Sequence, residues 1–595
     1  MAASIYAALE NATVKKWHDG KRACLILLAL SSLILGSAAI ATGVEQGVMA
    51  EFTLTSTTAH VNHFDMQLQA ILTHGSTRYT FWGFYAGGAN GVHTWKIRYN
   101  LPSTGIWRYT TISSDRHLHG QTGWVTVTRP TAGNRGALIA DGRAFKWENT
   151  GEPHYVMGQT AYGLLQAHIP WRQVIAWLQR HRFNQIRIDL TSHNTRGPED
   201  MWLWAGTPSR PDFSRFNLGQ WDKIDAVLQA GLKRGFTFEV GTKTIQQLPK
   251  AGPNRTRYLH YLAARLGSYP HLIYLEDFEI LGRPVRQGIL PTERTVKSVG
   301  TDFSRAFRDY PHAPLLGVHM RRNDTYYQGS TGMTFYHPGS EGLPADFRGQ
   351  QWLTCGILHE RWMMEGFGIL QHRPHFIMPL YVGEAVYEGT NQTVTHDIMQ
   401  ELDAFGMRDE IVHAPRFYYR RYTYSVILSG GVGMTYGLTG ASVYKDKRGS
   451  YLPRWRTGIP PSKDRRNGAE GFKDIKRALA YFRAKSLDSN QLQPDDTRVN
   501  NGFSLPNSDE LSRDLGLKRA KFAKLAGAHT YYIYNPYHTS LTISGIPAGL
   551  SIEIFNPQTG DTYHGGQTHG GTVFNQPSQF VGDYLLYITE RATPQ

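Results

Sequence analysis

Pro379-Leu380-Tyr381-Val382-Gly383-Glu384-Ala385-Val386-Tyr387-Glu388-Gly389 is an apolar run of strand type that ends in a carboxylate, Glu384. An aromatic residue, a second carboxylate and a glycine follow at once. Burying Glu384 at the end of such a run costs free energy unless the position uses its charge. A second run of the same kind, Leu272-Ile273-Tyr274-Leu275-Glu276-Asp277-Phe278-Glu279, lies upstream. Two strand-terminal carboxylates far apart in sequence are what glycosidic hydrolysis uses, one as acid/base and the other as nucleophile or base. The structural alternative is a pair of rim carboxylates held by Arg, because ion pairs also place carboxylates at strand ends.

Outward from these two runs, strand-like and helix-like segments alternate from about Leu138 to Tyr444. Tyr155–Gly158 precedes a helix over Trp171–Arg182, and Gln185–Leu190 precedes one over Trp221–Arg234. Phe236–Val240, the helix Thr256–Leu266, Leu272–Glu279, Leu315–His319, Trp352–Ile357 and Ile377–Glu384 continue the series. The helix Arg416–Leu428 then leads to Gly433–Gly437. About eight strands alternating with helices predict an α/β chain built as a (β/α)8 TIM barrel over residues 137–444. In that architecture the loops after the strand carboxyl ends carry the chemistry, and Glu279, His319 and Glu384 all fall there.

The flanks read differently. Residues 51–129 carry short alternating runs broken by Gly, Asn and Pro, such as Tyr79–Phe84 and Gly123–Val127, which predicts a small β-sandwich. Residues 445–512 form a charged, Pro- and Gly-rich linker with a helical segment at Gly471–Ser486. Residues 513–595 resume alternation at Thr530–Tyr534, Ser551–Phe555 and Tyr584–Ile588, a second sandwich. At the amino end, Lys15, Lys16, Lys21 and Arg22 precede the apolar segment Ala23–Val44, and Ala39-Ile40-Ala41 fits a small-x-small cleavage site. Residues 1–44 are therefore expected to be a signal peptide or an uncleaved signal anchor, with the rest of the chain secreted or at the cell surface.

Composition narrows the class. Of 595 residues, 14 are Trp and 32 Tyr, which suits carbohydrate recognition but also large barrel proteins. The net charge of +15 is scattered, and no basic helix with interleaved aromatics or nucleic-acid motif occurs, so no nucleic-acid partner is expected. The two cysteines, Cys24 and Cys355, leave a processed chain without an internal disulfide. His359-Glu360-Arg361-Trp362-Met363 begins like a zinc-protease helix but lacks the second His, and no other metal-ligand spacing stands out. No metal or organic cofactor is implied, and a membrane enters only through the amino-terminal segment.

Several segments together resemble one family. Trp82–Gly88, Trp95–Tyr99 and Gly105–Tyr109 resemble the Ig-like domain that often precedes apiosidase-like glycoside hydrolases. Gly158-Gln159-Thr160-Ala161-Tyr162 resembles the first barrel strand of that family, with Gln159 and Tyr162 where Asp and Trp are usual. Phe183–Arg187, His271–Glu279, Pro379–Gly389 and Ser429–Gly437 resemble its second, fourth, seventh and eighth strands, with Met434 where a His is common. Phe555-Asn556-Pro557-Gln558-Thr559-Gly560 resembles a signature of the carboxyl-terminal sandwich, labelled collagen-binding. The resemblance implies a glycoside hydrolase acting on a polysaccharide or glycan side chain. It implies Glu279 as acid/base and Glu384 as nucleophile.

The residues around these two keep their alternatives. Glu276 and Asp277 compete with Glu279, since a shift of one residue flips the facing side of a strand. Glu388 competes with Glu384 but lies past the strand end. Expected substrate contacts are Gln159, Tyr162, His193, Asn194, His319, Tyr387 and Tyr436; the alternative is barrel packing for Gln159 and Tyr162, a satisfied core His for His319 and a buried rim Tyr for Tyr436. A carboxyl separation of about 5–5.5 Å means retention and a wider one inversion. A non-catalytic glycan- or matrix-binding protein on the same barrel is the rival function.

Overall fold

In the computed structural model the chain is described at residues 43–161, 163–167, 169–191, 201–241, 249–275, 302–303, 305–307, 309–312, 315–320, 347–351, 379–384, 387–388, 415–438, 471–502, 520–536, 539–571, 573–575 and 582–590. Glu279, Tyr162, His193, Asn194 and the apolar amino-terminal segment up to residue 42 lie outside these residues.

The amino-terminal unit is the expected sandwich. Its strands alternate buried and exposed positions, as in Gly105–Ser113, where Trp107, Tyr109 and Thr111 face the core. The long strand Thr77–Ala89 serves both layers: its first half pairs with Leu68–His74 and its second half with Val92–Asn100. Gly83 sits at this changeover, where a Cβ would meet the Leu68 side chain at 2.5 Å. Pairing begins at Gly43–Glu45, parallel to Thr126–Thr128, so the sandwich starts two residues inside the stretch read as a targeting segment.

The predicted barrel is present and closed. Its strands are β1 (Val156–Thr160), β2 (Gln185–Asp189), β3 (Thr237–Gly241), β4 (Leu272–Leu275), β5 (Leu315–Met320), β6 (Phe347–Gln351), β7 (Leu380–Glu384) and β8 (Gly433–Leu438). They pair in parallel in that order, and β8 returns to β1, which removes both sheet edges. The described helices are α1 (Trp171–Arg180), α2 (Leu218–Leu232), α3 (Pro253–Leu266), α4 (Pro415–Leu428) and α5 (Gly471–Ala484). Helix α1 buries Val174, Ile175, Trp177 and Leu178, one stripe of a 3.6-residue period. Asn217 caps α2 by accepting a hydrogen bond from the Gln220 N–H. The sixth strand lies just before the Trp352–Ile357 run expected to form it, since Phe347–Gln351 takes up the pairing.

A hairpin, Leu138–Asp141 and Ala144–Trp147, closes the amino end of the barrel. Its Leu138, Phe145 and Trp147 cluster with Val156, Ile273, Leu315, Tyr381 and Val432 into an apolar floor. Met157, Ile186, Ile188, Phe238, Val240 and Leu272 join a separate cluster with the helices. Where a strand contributes to these clusters, they label its inner and outer phases.

The boundary after the barrel differs from the sequence reading. Helix α5 is not part of a linker: Phe472 packs against Trp177, Phe183 and Tyr436 on the barrel wall. Leu492–Pro494 and Val499–Asn500, also within residues 445–512, pair as strands of the two carboxyl-terminal sheets. Both segments have apolar faces to bury, and composition alone hid this. Arg420 ties α4 to that sandwich through Asp583 and to α5 through Asp474, with nitrogen–oxygen distances of 3.0 and 3.2 Å.

Candidate active site

Strand alternation makes the upper barrel polar. Inner-phase positions on β2 are Gln185, Arg187 and Asp189, and on β3 Thr237 and Glu239. Charged residues at every second place of an otherwise apolar strand can be accommodated only toward a hydrated or internally paired lumen. All five are buried, with Arg187 and Glu239 fully so.

Glu239 is the centre of this layer. Arg187 Nε lies 3.3 Å from its Oε1, Gln185 Nε2 donates to Oε2 at 3.3 Å, and the Tyr381 hydroxyl donates to Oε2 at 2.5 Å. Two strands far apart in sequence, β2 and β7, thus hold the one buried carboxyl group of Glu239, as a buried charge requires. Burial, reinforced by the Glu239 charge, pushes the Tyr381 hydroxyl well above its ordinary range, so it stays protonated and remains a donor. The Thr160 and Thr435 hydroxyls are buried and have no hydrogen-bond partner among the described residues. The layer therefore combines a fixed ion pair with buried hydroxyls that no described residue engages.

Glu384 is the last residue of β7. On β6, Gly349 and Gln351 are two residues apart, whereas their β7 partners Tyr381 and Glu384 are three apart. The extra residue is a bulge between Val382 and Glu384, of the kind that re-aims a strand next to a site. By register it returns Glu384 to the phase of Tyr381, which simple alternation would deny it. His319 pairs with Gly349, which pairs with Tyr381, so His319 occupies the same cross-strand row. Tyr387 lies past β7 in a two-residue strand whose partner is Gly437, with Glu388 beside it.

Two expected substrate contacts fall elsewhere. Gln159 pairs in register with Ile186 and with Tyr436, in the outer phase of the barrel. Tyr436 is fully buried, 5.0 Å from the Tyr419 ring and 6.1 Å from that of Phe472. Its role is to pack the helices on the wall, not to stack on a sugar. The Gln159 carboxamide donates to its neighbour's carbonyl, Thr160 O, at 2.9 Å. Both assignments are corrected for one reason: a strand end was read without its register. Arg187, Glu239 and Tyr381 were not singled out from sequence. The signal was the spacing Gln-Ile-Arg-Ile-Asp and Thr-Phe-Glu-Val, polar residues in phase within buried strands.

Similar proteins agree with this architecture. A candidate glycoside hydrolase from Bacteroides vulgatus superposes with a TM-score of 0.63 at 17% identity, over 92% of this chain and 100% of that one. A glycoside hydrolase of family 5 from the same organism gives a TM-score of 0.53 at 16% identity, over 77% and 94% of the two chains. At these identities the likeness concerns the fold. No curated protein matches the chain. Residues 44–114 match a domain of unknown function, DUF5060, which covers most of the amino-terminal sandwich. Residues 140–468, more than half of the chain, match the model of the apiosidase-like catalytic domain, and the chain belongs to that family.

Proposed function

We propose that this chain is a secreted or surface-anchored glycoside hydrolase that cleaves O-glycosidic bonds in a polysaccharide or glycan side chain. The observation that carries the reading is the bulge that ends β7 on Glu384 in the phase of Tyr381, at the carboxyl rim of a closed barrel. Membership of the apiosidase-like family supports it.

In this mechanism Glu384 attacks the anomeric carbon and forms a covalent glycosyl-enzyme. Glu279 protonates the departing glycosidic oxygen, then removes a proton from the water that releases the sugar. Glu239 is not the acid: its carboxyl group is engaged by Arg187, Gln185 and Tyr381, beneath the rim. It holds Arg187 and Tyr381 in place. The basic surface, with +15 net charge, favours an acidic glycan or cell envelope as the setting.

The test is turnover by Glu384→Gln and Glu279→Gln on aryl glycosides and on a panel of plant and bacterial polysaccharides. The Glu384 variant should fail on every substrate. The Glu279 variant should keep activity on aryl glycosides with good leaving groups, and azide should rescue it by replacing the base-activated water. Near-wild-type turnover by Glu384→Gln removes the nucleophile assignment and makes Glu388 the next candidate. Equal leaving-group dependence in the two variants removes the acid/base assignment and points to Asp277.

A further inference from the structure

The seam between the amino-terminal sandwich and α3 contains a cavity of about 460 Å³ that the barrel mechanism does not use. Pockets that hold small ligands run from roughly 300 to 1,000 Å³. Aromatic rings from both units line it. Trp82 of the sandwich stacks on His260 of α3, with ring centroids 4.5 Å apart and planes at 21°. His63 stacks on Tyr85 at 4.8 Å and 17°. Phe64 and Trp95 are among the other residues of the wall.

Most polar groups in this wall are paired, as the Tyr261 hydroxyl is with Tyr85 O at 2.9 Å. Trp95 is 1% exposed, and its indole N–H has no hydrogen-bond partner among the described residues; nor has His63 Nδ1. Leaving a buried donor unmet costs about 1–3 kcal/mol, a local cost of the aromatic packing here. The charges at the rim are already spoken for: Arg257 Nε donates to Asp65 Oδ1 at 2.6 Å, and its Nη1 donates to Asn254 Oδ1 at 2.6 Å. Burial, with His93 and His60 nearby, holds His63 below its ordinary value, so it is neutral at pH 7. Flat apolar rings, the exposed side chains of Gln67 and Thr256 at the rim and no free charge match a ligand with C–H faces and an edge of hydroxyls. We propose that the seam cavity is a second saccharide site, which holds a short stretch of neutral sugars apart from the barrel mouth.

Its position gives the site a purpose. Helix α3 follows the carboxyl end of β3, so its first turn, where Gly252, Pro253 and Thr256 line the cavity, lies on the same end of the barrel as Glu384. A glycan held there is tethered beside the rim, which raises its effective concentration at the mouth. The site does not depend on the barrel being active.

The test is affinity electrophoresis of the full chain carrying Glu384→Gln through native gels containing arabinogalactan, galactomannan or mixed-linkage β-glucan. Retardation in at least one gel is expected. Thr256 is exposed on the rim, so Thr256→Trp fills the cavity without touching the core. It should weaken retardation by about tenfold in apparent affinity, the effect of roughly 1.4 kcal/mol, with an unchanged thermal midpoint. Trp82→Ala should also weaken retardation by removing one ring, but with a lower thermal midpoint because Trp82 packs against the core. Free mobility in all three gels overturns the proposal, as does retardation that Thr256→Trp leaves intact. Since binding is read without turnover, failure of the hydrolase assignment would leave this result standing.

Discussion

Asp225→Asn should unlock the amino-terminal sandwich from the barrel. Asp225 lies on α2 and is 6% exposed. It accepts from Arg98 Nη1 and Nη2 at 2.6 and 2.9 Å, from Arg265 Nε at 2.8 Å and from the Tyr269 hydroxyl at 3.1 Å. Arg98 belongs to the sandwich, and Arg98 and Arg265 are 3% and 2% exposed. Burial would raise the Asp225 carboxyl, but the two guanidinium charges override it and hold it below the usual range. Removing one partner of a buried ionic group costs about 3–5 kcal/mol. Arg98 keeps Glu51 at 2.9 Å, and Arg265 keeps Asp222, so the lower end, about 3 kcal/mol, is expected. The assay is urea unfolding followed by Trp fluorescence, with limited proteolysis in parallel. The variant should lose that stability in its first transition and release a fragment ending near residue 135. A loss below about 1 kcal/mol, the scale of a surface ion pair, with no early fragment, refutes the reasoning. The double variant Arg98→Met, Asp225→Leu should recover most of the loss. It leaves no unpaired charge, and the Phe84 and Tyr269 rings, now 4.9 and 5.6 Å from the Arg98 guanidinium, supply apolar surroundings.

Three other outcomes follow from the geometry. Gly433 opens β8 at φ +119°, and a Cβ there would lie 2.1 Å from Val156 O, so Gly433→Ala should disrupt barrel closure and lower the thermal midpoint sharply. Gly75→Ala, at φ +58° with nothing within 4 Å, should cost far less and serves as the control. Tyr381→Phe removes the 2.5 Å bond to Glu239 and should cost about 1–3 kcal/mol in denaturant unfolding; under the hydrolase reading it should also lower kcat more than it alters KM. In the sandwich, burial would raise Asp115, but hydrogen bonds from Ser56 and His60 outweigh it and bring it from 3.8 to about 2. Its contribution is complete above pH 4 and is lost as pH falls through about 2, so the gap in thermal midpoint between wild type and Asp115→Asn should close over that interval.

Much of this molecule was legible in one dimension. Alternation of apolar runs with amphipathic segments predicts a (β/α)8 barrel, because a strand buried on both sides and a helix with one apolar stripe leave different local signatures. Short alternating runs likewise mark the two sandwiches, and the run ending in Glu384 reads correctly as a strand closed by a carboxylate. Which side of a strand a residue faces is another matter, because that depends on register, a property of pairs of strands. Gln159 and Tyr436 fall to the outer wall for this reason. Glu384 returns to the phase of Tyr381 only through a bulge invisible in its own sequence. The Arg187–Glu239–Tyr381 contact joins β2, β3 and β7, and the aromatic seam joins Trp82 to His260 across two domains. Such contacts are made by chain closure over long sequence separations, and no local pattern records them.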